Sequence, residues 1–337
     1  MISGVFKAPN RLDVEDYPLR KLGQNEVLVK VHTCGVCGTD FHIYDGKAPS
    51  KPPIIIGHEF SGIVADYSES KEKFNVGDKV VINPNICCGY CDYCRTGRVN
   101  FCENHEALGV TLNGGFAEYS IVPSSQVYHI PTDFDLSFAA FAEPLSCCLR
   151  GVEHASIKYG DAVIIVGGGT IGLLMVQLAK MAGASKIFLI EPVTFKQEIG
   201  LELGANYAIN PSENNFFEKI NELINSRKRK VIECVGEKET VELSVRLTGK
   251  GGRLVIFGLA PKEHNVSLNL QFLFQNEIQI FNSYLNPFTF KTAVDLLVSG
   301  KINVKKLISK RISLENINTV FNNNHDSFSI KQQIITN

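Results

Sequence analysis

Long apolar runs are missing from this sequence. Nowhere in its 337 residues does an uninterrupted apolar stretch approach the length of about 18 residues that a membrane-spanning helix needs. The first residues, MISGVFKAPNRLDVEDYPL, also lack an apolar run of signal-peptide length. The formal net charge is only −1, which gives no long-range field to favour nucleic acid or an anionic membrane. The composition therefore predicts a soluble, cytoplasmic protein with no nucleic-acid or membrane partner and enough chain for two domains.

Cysteine, by contrast, is plentiful: the chain has ten, and five of them fall within CCGYCDYCRTGRVNFC (87–102). In a reducing cytosol such clusters serve as metal ligands or catalytic groups more often than as disulfides. The spacing C-x2-C-x2-C-x7-C selects four of the five: Cys88, Cys91, Cys94 and Cys102. Four thiolates close a tetrahedral zinc site and leave no open position. We therefore predict a structural zinc loop over residues 85–104 with Cys87 left over; an iron–sulfur cluster and disulfides are the alternatives.

A dinucleotide-binding pattern fills the middle of the chain. The run AVIIV (162–166) indicates a buried strand, GGGTIG (167–172) follows it directly, and an apolar stretch up to Gly183 indicates a helix. A second strand, KIFLIE (186–191), comes next, and this order is the context in which G-x-G-x-x-G is specific. The glycines permit a tight turn, close approach of a pyrophosphate and close helix–strand packing, while the helix N-terminus offers N–H groups to the phosphates.

The end of the second strand bears on the choice of cofactor. Glu191 lies about 20 residues after the glycines, where a carboxylate can accept from ribose hydroxyls and repel the extra phosphate of NADP. Lys196 is the one nearby cation that could attract that phosphate, and no arginine accompanies it, so NAD is favoured over NADP. The predicted cofactor-binding residues are Gly167, Gly169, Thr170, Ile171, Gly172, Glu191 and Lys196.

Strands and helices continue to alternate after this unit. Further strands are expected at 207–210, 230–236 and 252–259, with helices around 213–226 and 238–248. Such alternation predicts an α/β domain with a doubly wound parallel sheet, which binds its ligand at the carboxyl ends of the strands.

The first 140 residues differ, because short β-rich runs broken by Gly, Pro and Asp suggest a small barrel or sandwich. The clusters CGVCGTDFH (34–42) and GHEFSG (57–62) interrupt them, and AEPLSCC (142–148) follows later. These clusters supply thiolate, imidazole and carboxylate groups that are competent zinc ligands: Cys37, His58, Glu59 and Glu143. Three protein ligands with one place open make a catalytic zinc. Cys34 and Cys37 also form C-x2-C, which alone could indicate redox chemistry or a zinc pair.

In combination, the motifs CGVCGTDFH, GHEFSG, CGYCDYC…C, GGFAEY, AEPL and VGGGTIGL resemble the zinc-dependent medium-chain dehydrogenases over essentially the whole chain. The resemblance implies a GroES-like β-barrel catalytic domain at 1–145 and a Rossmann NAD-binding domain at 146–285. It also implies a segment at 286–337 that returns to complete the catalytic domain. The glutamate in EPL resembles sorbitol and other polyol dehydrogenases, whereas threonine dehydrogenases usually read DP there.

By the same resemblance, Cys37 and His58 are zinc ligands and Cys34 is not. Glu59 is either a ligand or an exchangeable partner beside the metal. Glu143 stands where the alcohol dehydrogenases of the family have a third cysteine. The family also implies a homo-oligomer, either a tetramer or a dimer.

The implied activity is oxidation of a secondary hydroxyl in a polyol or sugar alcohol, with hydride passing to NAD. Zinc would lower the pKa of the hydroxyl, Thr39 would take its proton, and His42 would pass that proton to solvent. A polyol phosphate or an amino alcohol is an alternative substrate. Arg150 could meet an anionic group on it, and could equally hold the cofactor pyrophosphate or form a surface ion pair. An NAD-binding sensor is a non-enzymatic alternative, but it would have no need of the relay residues Thr39 and His42.

Overall fold

The structure is a computed structural model that describes residues 1–69, 73–224, 229–262, 264–322 and 329–336. The chain divides into two units. The first contains Met1–Ser146 together with the chain from Pro287 onward, and the second is Cys147–Asn286. Within the described ranges no helix is both long and apolar enough to cross a membrane.

Short strands dominate the first part of the chain. They are β1 (Ile2–Ala8), β2 (Arg11–Asp16), β3 (Glu26–Gly35), β4 (Ile54–Ile55), β5 (Glu59–Tyr67), β6 (Lys79–Ile82), β7 (Asn85–Ile86), β8 (Glu106–Ala107), β9 (Tyr119–Pro123) and β10 (Val127–His129). The helices of this part are α1 (Gly38–Tyr44), α2 (Asp92–Arg95), α3 (Leu136–Ala139) and α4 (Ala142–Ala155).

The second unit alternates strands and helices. They are β11 (Ala162–Val166), α5 (Thr170–Met181), β12 (Lys186–Ile190), α6 (Thr194–Leu203), β13 (Tyr207–Ile209), α7 (Phe216–Ile224), β14 (Arg229–Glu233), α8 (Lys238–Leu247), β15 (Arg253–Ile256), α9 (Leu270–Gln275) and β16 (Gln279–Asn282). The chain then returns to the first unit with α10 (Phe290–Val298), β17 (Ile308–Ser313), α11 (Asn318–Asn322) and β18 (Lys331–Ile335).

The main sheet of the first unit joins the two ends of the chain. Its strand order is β10-β6-β5-β3-β18-β17, with β9 also paired to β3, and a smaller sheet has the order β2-β1-β4. Strand β18 runs antiparallel to β3 and pairs Gln333 with Gly35. Inward-facing apolar residues of these strands, including Val29, Phe60 and Ile334, are fully buried, and this burial is the main stabilising term for such a sheet. The register of β18 brings residues near 331 close to those around 35.

The second unit has one parallel sheet, in the order β13-β12-β11-β14-β15-β16. Counted from β11 as one, the order is 3-2-1-4-5-6, which is the doubly wound order of dinucleotide-binding folds. All five residues of β11 are buried, as expected for a strand covered on both faces. The predicted α/β fold class with a doubly wound parallel sheet is therefore confirmed.

The predicted elements of this unit agree closely with the observed ones. The predicted strand at 162–166 coincides with β11, but α5 begins at Thr170, three residues before the apolar stretch used to predict it, because Gly169 serves as its N-cap. The helix expected around 213–226 is α7, which ends at Ile224 within the described residues; positions 225–226 lie outside them. Helices α6 and α9 and strand β16 were not predicted.

Candidate active site and metal centres

Four cysteine sulfurs come together in the loop between β7 and β8. The Sγ atoms of Cys88, Cys91, Cys94 and Cys102 all lie within 4.8 Å of one another. Those of Cys88 and Cys94 are 4.0 Å apart. Sulfurs at the corners of a tetrahedron around zinc, each about 2.3 Å from the metal, would be about 3.8 Å apart. The spacing of the four sulfurs therefore fits a closed zinc site.

Backbone N–H groups inside this loop point at the sulfurs. Cys91 donates its N–H to the Cys88 sulfur at 3.4 Å, and Cys88 donates its N–H to the Cys102 sulfur at 3.3 Å. Burial raises the pKa of Cys88, but the donors from Cys91 and Tyr90 and from neighbouring thiols outweigh it and bring that pKa to about 6. Burial together with the surrounding sulfurs raises the pKa of Cys94 to about 12. Thiols this close compete for protons, and a bound cation removes the competition.

A thiol, an imidazole and a carboxyl form a second group in the first unit. The Sγ of Cys37, a ring nitrogen of His58 and a carboxyl oxygen of Glu59 lie within 4.8 Å of one another. Cys37 is the N-cap of α1, Glu59 is the first residue of β5, and His58 immediately precedes that strand. His58 and Glu59 are buried and Cys37 is half-buried. Zinc takes donors of these three types in catalytic sites, so the residues fit that metal.

Asp40 contacts two of these residues and was not predicted from the sequence. One of its carboxylate oxygens accepts the N–H of Cys37 at 2.8 Å, and the other lies 3.4 Å from Nδ1 of His58. Burial lowers the pKa of His58, but the charges of Asp40 and Cys37 outweigh it and raise that pKa well above its ordinary value. A histidine whose Nδ1 faces a carboxylate presents Nε2 to a metal. A signal was available, because Asp40 stands three residues after an N-cap, the position of a capping box.

Lys331 is a second residue that was not predicted. Its Nζ donates to both carboxylate oxygens of Glu59, at 2.7 and 2.9 Å, and to the carbonyl of Val36 at 3.0 Å. Burial lowers the pKa of Lys331, but the charge of Glu59 outweighs it and raises that pKa. Gly35 leaves room for the pair, because a Cβ at this position would overlap a carboxylate oxygen of Glu59. No local sequence pattern marks this lysine.

Thr39 and His42, the predicted relay residues, both lie on α1 and are half-buried. The Thr39 hydroxyl is 3.8 Å from the Cys37 sulfur. Residues three apart share one face of a helix, so Thr39 and His42 follow the same side of α1. The short helix therefore begins at a candidate ligand and carries the two relay candidates.

Glu143 and Cys34 lie outside both groups of sulfur, nitrogen and carboxyl atoms found among the described residues. Glu143 is buried in the first turn of α4. Cys34 is fully buried, its thiol donates to the carbonyl of Gly35 at 3.6 Å, and burial raises its pKa well above the ordinary value. Direct ligation by Glu143 stays a prediction.

The glycine turn after β11 is tightly built. Gly167 has φ +100°, and a Cβ there would lie 2.6 Å from a methyl carbon of Val235. A Cβ at Gly172 would overlap the carbonyl of Gly167, which explains the third glycine of the motif. The space around Gly169, the N-cap of α5, is open to 4 Å. A phosphate could therefore approach the first N–H groups of α5, those around Thr170 and Ile171.

Glu191 follows β12 and is only 5% exposed. One carboxylate oxygen accepts the N–H of Gly168 at 2.6 Å and the other accepts the N–H of Val193 at 2.9 Å. These two donors fix the carboxylate beside the glycine turn. Lys196, on α6, is also buried, and its Nζ lies 5.9 Å from the centre of the Phe195 ring.

Comparison with known proteins agrees with this geometry. The alcohol dehydrogenase GroES-like domain matches residues 23–132, and the zinc-binding dehydrogenase family matches residues 170–299. The chain is 30% identical to the sorbitol dehydrogenase of Bacillus subtilis over 94% of its own length and 91% of that protein. It is 33% identical to the L-threonine 3-dehydrogenase of Pyrococcus abyssi over 86% of its own length and 85% of that protein. The fold also matches a crystal structure assigned as a zinc-binding dehydrogenase from Sinorhizobium meliloti 1021, which is bound to NADP. The TM-score is 0.94 and the identity 38%, and the match covers 99% of this chain and 98% of the other.

The chain belongs to the zinc-dependent medium-chain dehydrogenases, a family with a polyol dehydrogenase branch. It is an enzyme of the zinc-containing alcohol dehydrogenase type, built from a GroES-like β domain and a Rossmann domain. The resemblance read from the motifs and the predicted fold class are thus confirmed.

Proposed function

We propose that this enzyme oxidises a secondary hydroxyl of a polyol or sugar alcohol to a ketose, with NAD as the hydride acceptor. The observation that carries the proposal is the group formed by Cys37, His58 and Glu59, where a carboxyl joins one thiol and one imidazole. A glutamate at 143, in place of the third cysteine of alcohol dehydrogenases, favours the polyol branch. The similarity to a sorbitol dehydrogenase over nearly the whole chain supports the same reading.

We assign one zinc ion to Cys37, His58 and Glu59 and a second, structural one to the four cysteines of the loop. In the first position zinc supplies a Lewis acid that lowers the pKa of a hydroxyl bound there. The Asp40 carboxylate, 3.4 Å from Nδ1 of His58, would orient the imidazole so that Nε2 is left for the metal. Lys331 neutralises part of the charge on Glu59, which would keep a metal bound there electrophilic.

The proton of the substrate hydroxyl leaves along α1. The Thr39 Oγ1 accepts this proton as it gives up its own hydroxyl proton, and the half-buried His42, three residues later, passes a proton on to solvent. Histidine suits the second step because its ordinary pKa is close to neutral pH. Both groups move the proton without changing the metal ligands.

The second unit would hold the cofactor, whose nicotinamide takes the hydride when bound. The N-terminus of α5 would meet the pyrophosphate, and Glu191 would accept hydrogen bonds from the ribose hydroxyls. Since two N–H donors fix the Glu191 carboxylate, an extra phosphate on that ribose would meet a negative charge that cannot swing away. The S. meliloti relative is bound to NADP, so the choice of cofactor has to be measured directly.

An amino alcohol such as threonine is the second candidate, because a threonine dehydrogenase is among the relatives. A polyol phosphate has less support from the structure. Arg150, the cation proposed for an anionic group, forms an ion pair with Glu153 at 3.0 Å on the same helix.

A substrate panel tests the proposal. Polyols of different chain length, their phosphates and threonine are offered with NAD or with NADP, and formation of the reduced cofactor is followed by absorbance. We expect the highest kcat/KM with an unphosphorylated polyol and NAD. Thr39→Val should lose most of this activity and Thr39→Ser should keep it, since only the serine variant retains a hydroxyl. A clear preference for threonine, or for a polyol phosphate, would replace the polyol reading.

We also propose that the enzyme is a homo-oligomer of the cytoplasm. Strand β16 is one of the two edge strands of the parallel sheet, and α9 before it exposes Leu270 (76%) and Phe274 (84%). An edge strand beside exposed apolar side chains is a surface that a second copy can cover. All ten cysteines, each within the described ranges, are free thiols, as suits a reducing compartment. Light scattering of the wild type and of Phe274→Asp would give the oligomeric state and its dependence on this surface.

A further inference from the structure

The cysteine loop holds one thiol more than a closed zinc site needs. Cys88, Cys91, Cys94 and Cys102 form the group of ligand atoms, whereas Cys87 does not belong to it. Cys87 is the first residue after β7 and is half-buried. The position of its thiol therefore decides whether it is a spare packing residue or a partner of one ligand.

Two sets of contacts place Cys87 against Cys102. The Cys87 thiol donates to the carbonyl of Val99 at 3.3 Å, and the N–H of Cys102 donates to that same carbonyl at 3.1 Å. From the other side, the N–H of Cys88 lies 3.3 Å from the Cys102 sulfur. The Cα of Cys87 is two covalent bonds, about 2.4 Å, from the Cys88 nitrogen. Because that nitrogen is 3.3 Å from the Cys102 sulfur, the Cα of Cys87 lies within about 6 Å of the same sulfur. A disulfide requires the Cα atoms of its two cysteines to lie within about 7 Å of each other, and this bound on the Cα–sulfur distance is compatible with that requirement.

We propose that Cys87 is the resolving thiol of a peroxide-sensitive switch and forms a disulfide with Cys102, which removes one ligand from the structural zinc. The inference rests on the proposed assignment of zinc to the four cysteines. It identifies a modification site that has no part in the proposed catalysis. Because the remaining three thiolates no longer close the site, the oxidised loop releases its zinc faster than the reduced loop.

The chemistry needs only a peroxide as oxidant. Hydrogen peroxide transfers one oxygen to the sulfur of Cys102, giving a sulfenic acid, and its other oxygen leaves as water after taking up a proton. The sulfur of Cys87 then attacks the sulfenic sulfur, the S–S bond forms, the S–O bond breaks, and the second water leaves with the thiol proton. Two thiols lose two electrons and the peroxide gains two. The balance is the same whichever of the two sulfurs is oxidised first.

The test uses the full-length, zinc-loaded enzyme. Zinc content is measured first and the labile zinc is removed by mild chelation; hydrogen peroxide is then added, and release of the remaining loop zinc is followed with a chromogenic chelator. Peptide mapping without reductant identifies the disulfide that forms. Cys87→Ser removes the resolving thiol, and Cys147→Ser serves as the matched control, because Cys147 is a half-buried cysteine on α4 that belongs to neither metal group.

We expect the wild type and Cys147→Ser to release the loop zinc with a Cys87–Cys102 disulfide, and a thiol reductant with added zinc to restore the loop. Cys87→Ser should release zinc at least about fivefold more slowly under the same peroxide dose. Equal release from Cys87→Ser, or a disulfide between two of the four ligands with Cys87 still reduced, would overturn the switch while leaving the zinc assignment intact. A loop that holds no zinc before oxidation would overturn the metal assignment, and the switch with it.

Discussion

Lys331 and Glu59 form a buried ion pair between the last strand of the chain and the first residue of β5. Their side chains are only 5% and 2% exposed, and 272 positions separate them in the sequence. Glu59 is also within 4.8 Å of the Cys37 sulfur and a His58 nitrogen. One carboxylate is therefore shared between a lysine and the proposed zinc position.

Removing the lysine should destabilise the metal-free enzyme more than the zinc-loaded enzyme. Lys331→Met leaves Glu59 buried without its counter-ion, and loss of one partner of a buried pair costs about 3–5 kcal/mol. Bound zinc would supply a replacement positive charge, so the free energy of unfolding should fall less when the site is filled. Denaturant unfolding with and without a chelator measures both values.

Two further variants complete this experiment. Glu59→Gln in the Lys331→Met background should recover part of the lost stability, because no unpaired charge remains. Lys291→Met breaks an exposed pair with Asp295 on α10 and should change the free energy of unfolding by less than about 1 kcal/mol. If Lys331→Met lowers the free energy of unfolding as little as Lys291→Met does, the buried pair has no structural role.

The two zinc ions should differ in lability. The four-thiolate site is closed, whereas the site at Cys37, His58 and Glu59 has at most three ligands from these residues and one position for the substrate. Mild chelation should therefore remove one zinc per chain together with the activity, and the second should leave only under denaturing conditions or strong chelation. Metal analysis alongside activity checks this order; a fully active enzyme with a single metal ion would contradict it.

Glu191→Ala should weaken NAD binding and improve the relative use of NADP. The substitution removes a charged acceptor for the ribose hydroxyls, which is worth about 1.5–3 kcal/mol, and it also removes the repulsion of an extra phosphate. Glu198→Ala, on the exposed face of α6, is the control for a general loss of negative charge. Affinities for both cofactors measure the effect. Equal efficiency with NAD and NADP in the unmodified enzyme would contradict the role given to Glu191.

Glu143→Gln should lower the rate and leave zinc bound. The Glu143 carboxyl is not among the atoms grouped around Cys37, so a supporting role beside the metal is the expectation that fits the structure. Loss of such partners typically costs about 10–100-fold in activity or metal affinity. Zinc content and kcat measured on the same preparation separate the two roles. Loss of zinc from this variant, with the four-cysteine site still filled, would make Glu143 a direct ligand.

Local patterns in the sequence were sufficient to predict the glycine turn of the second unit and the strand and helix beside it. The buried strand AVIIV, the glycine turn and the following helix occupy neighbouring positions, and Gly167 and Gly172 each have a steric reason, the close approach of Val235 and of the Gly167 carbonyl respectively. The edge strand β16 was missed because its four residues carry no strong apolar signal; all are half-buried or exposed. Short edge strands have fewer packing constraints, and their sequences are correspondingly less distinctive.

The surroundings of the metal site were harder to predict, for a different reason. Asp40 is close to Cys37 in the sequence, and its capping position could have been read from the motif CGTDFH. Lys331 could not have been found in this way, because it reaches Glu59 only through the antiparallel pairing of β18 with β3. Residue types and spacing identify groups of ligands, but a partner supplied by a distant strand depends on the tertiary register.

The central claim is that polyol oxidation depends on a zinc ion held by Cys37. The most direct measurement compares Cys37→Ser with Cys34→Ser, two cysteines three positions apart of which only Cys37 belongs to the ligand group. Zinc content, NAD affinity and the rate of polyol-dependent NAD reduction are measured for both variants and for the wild type. Cys37→Ser should lose one zinc and have a rate more than about 100-fold lower, because loss of even a residue that only supports a metal ligand typically lowers activity or metal affinity about 10–100-fold. Cys34→Ser should keep its zinc and most of its rate. Both should bind NAD normally. A fully active Cys37→Ser enzyme would contradict the zinc mechanism, and an inactive, zinc-depleted Cys34→Ser enzyme would show that the ligand is the other cysteine.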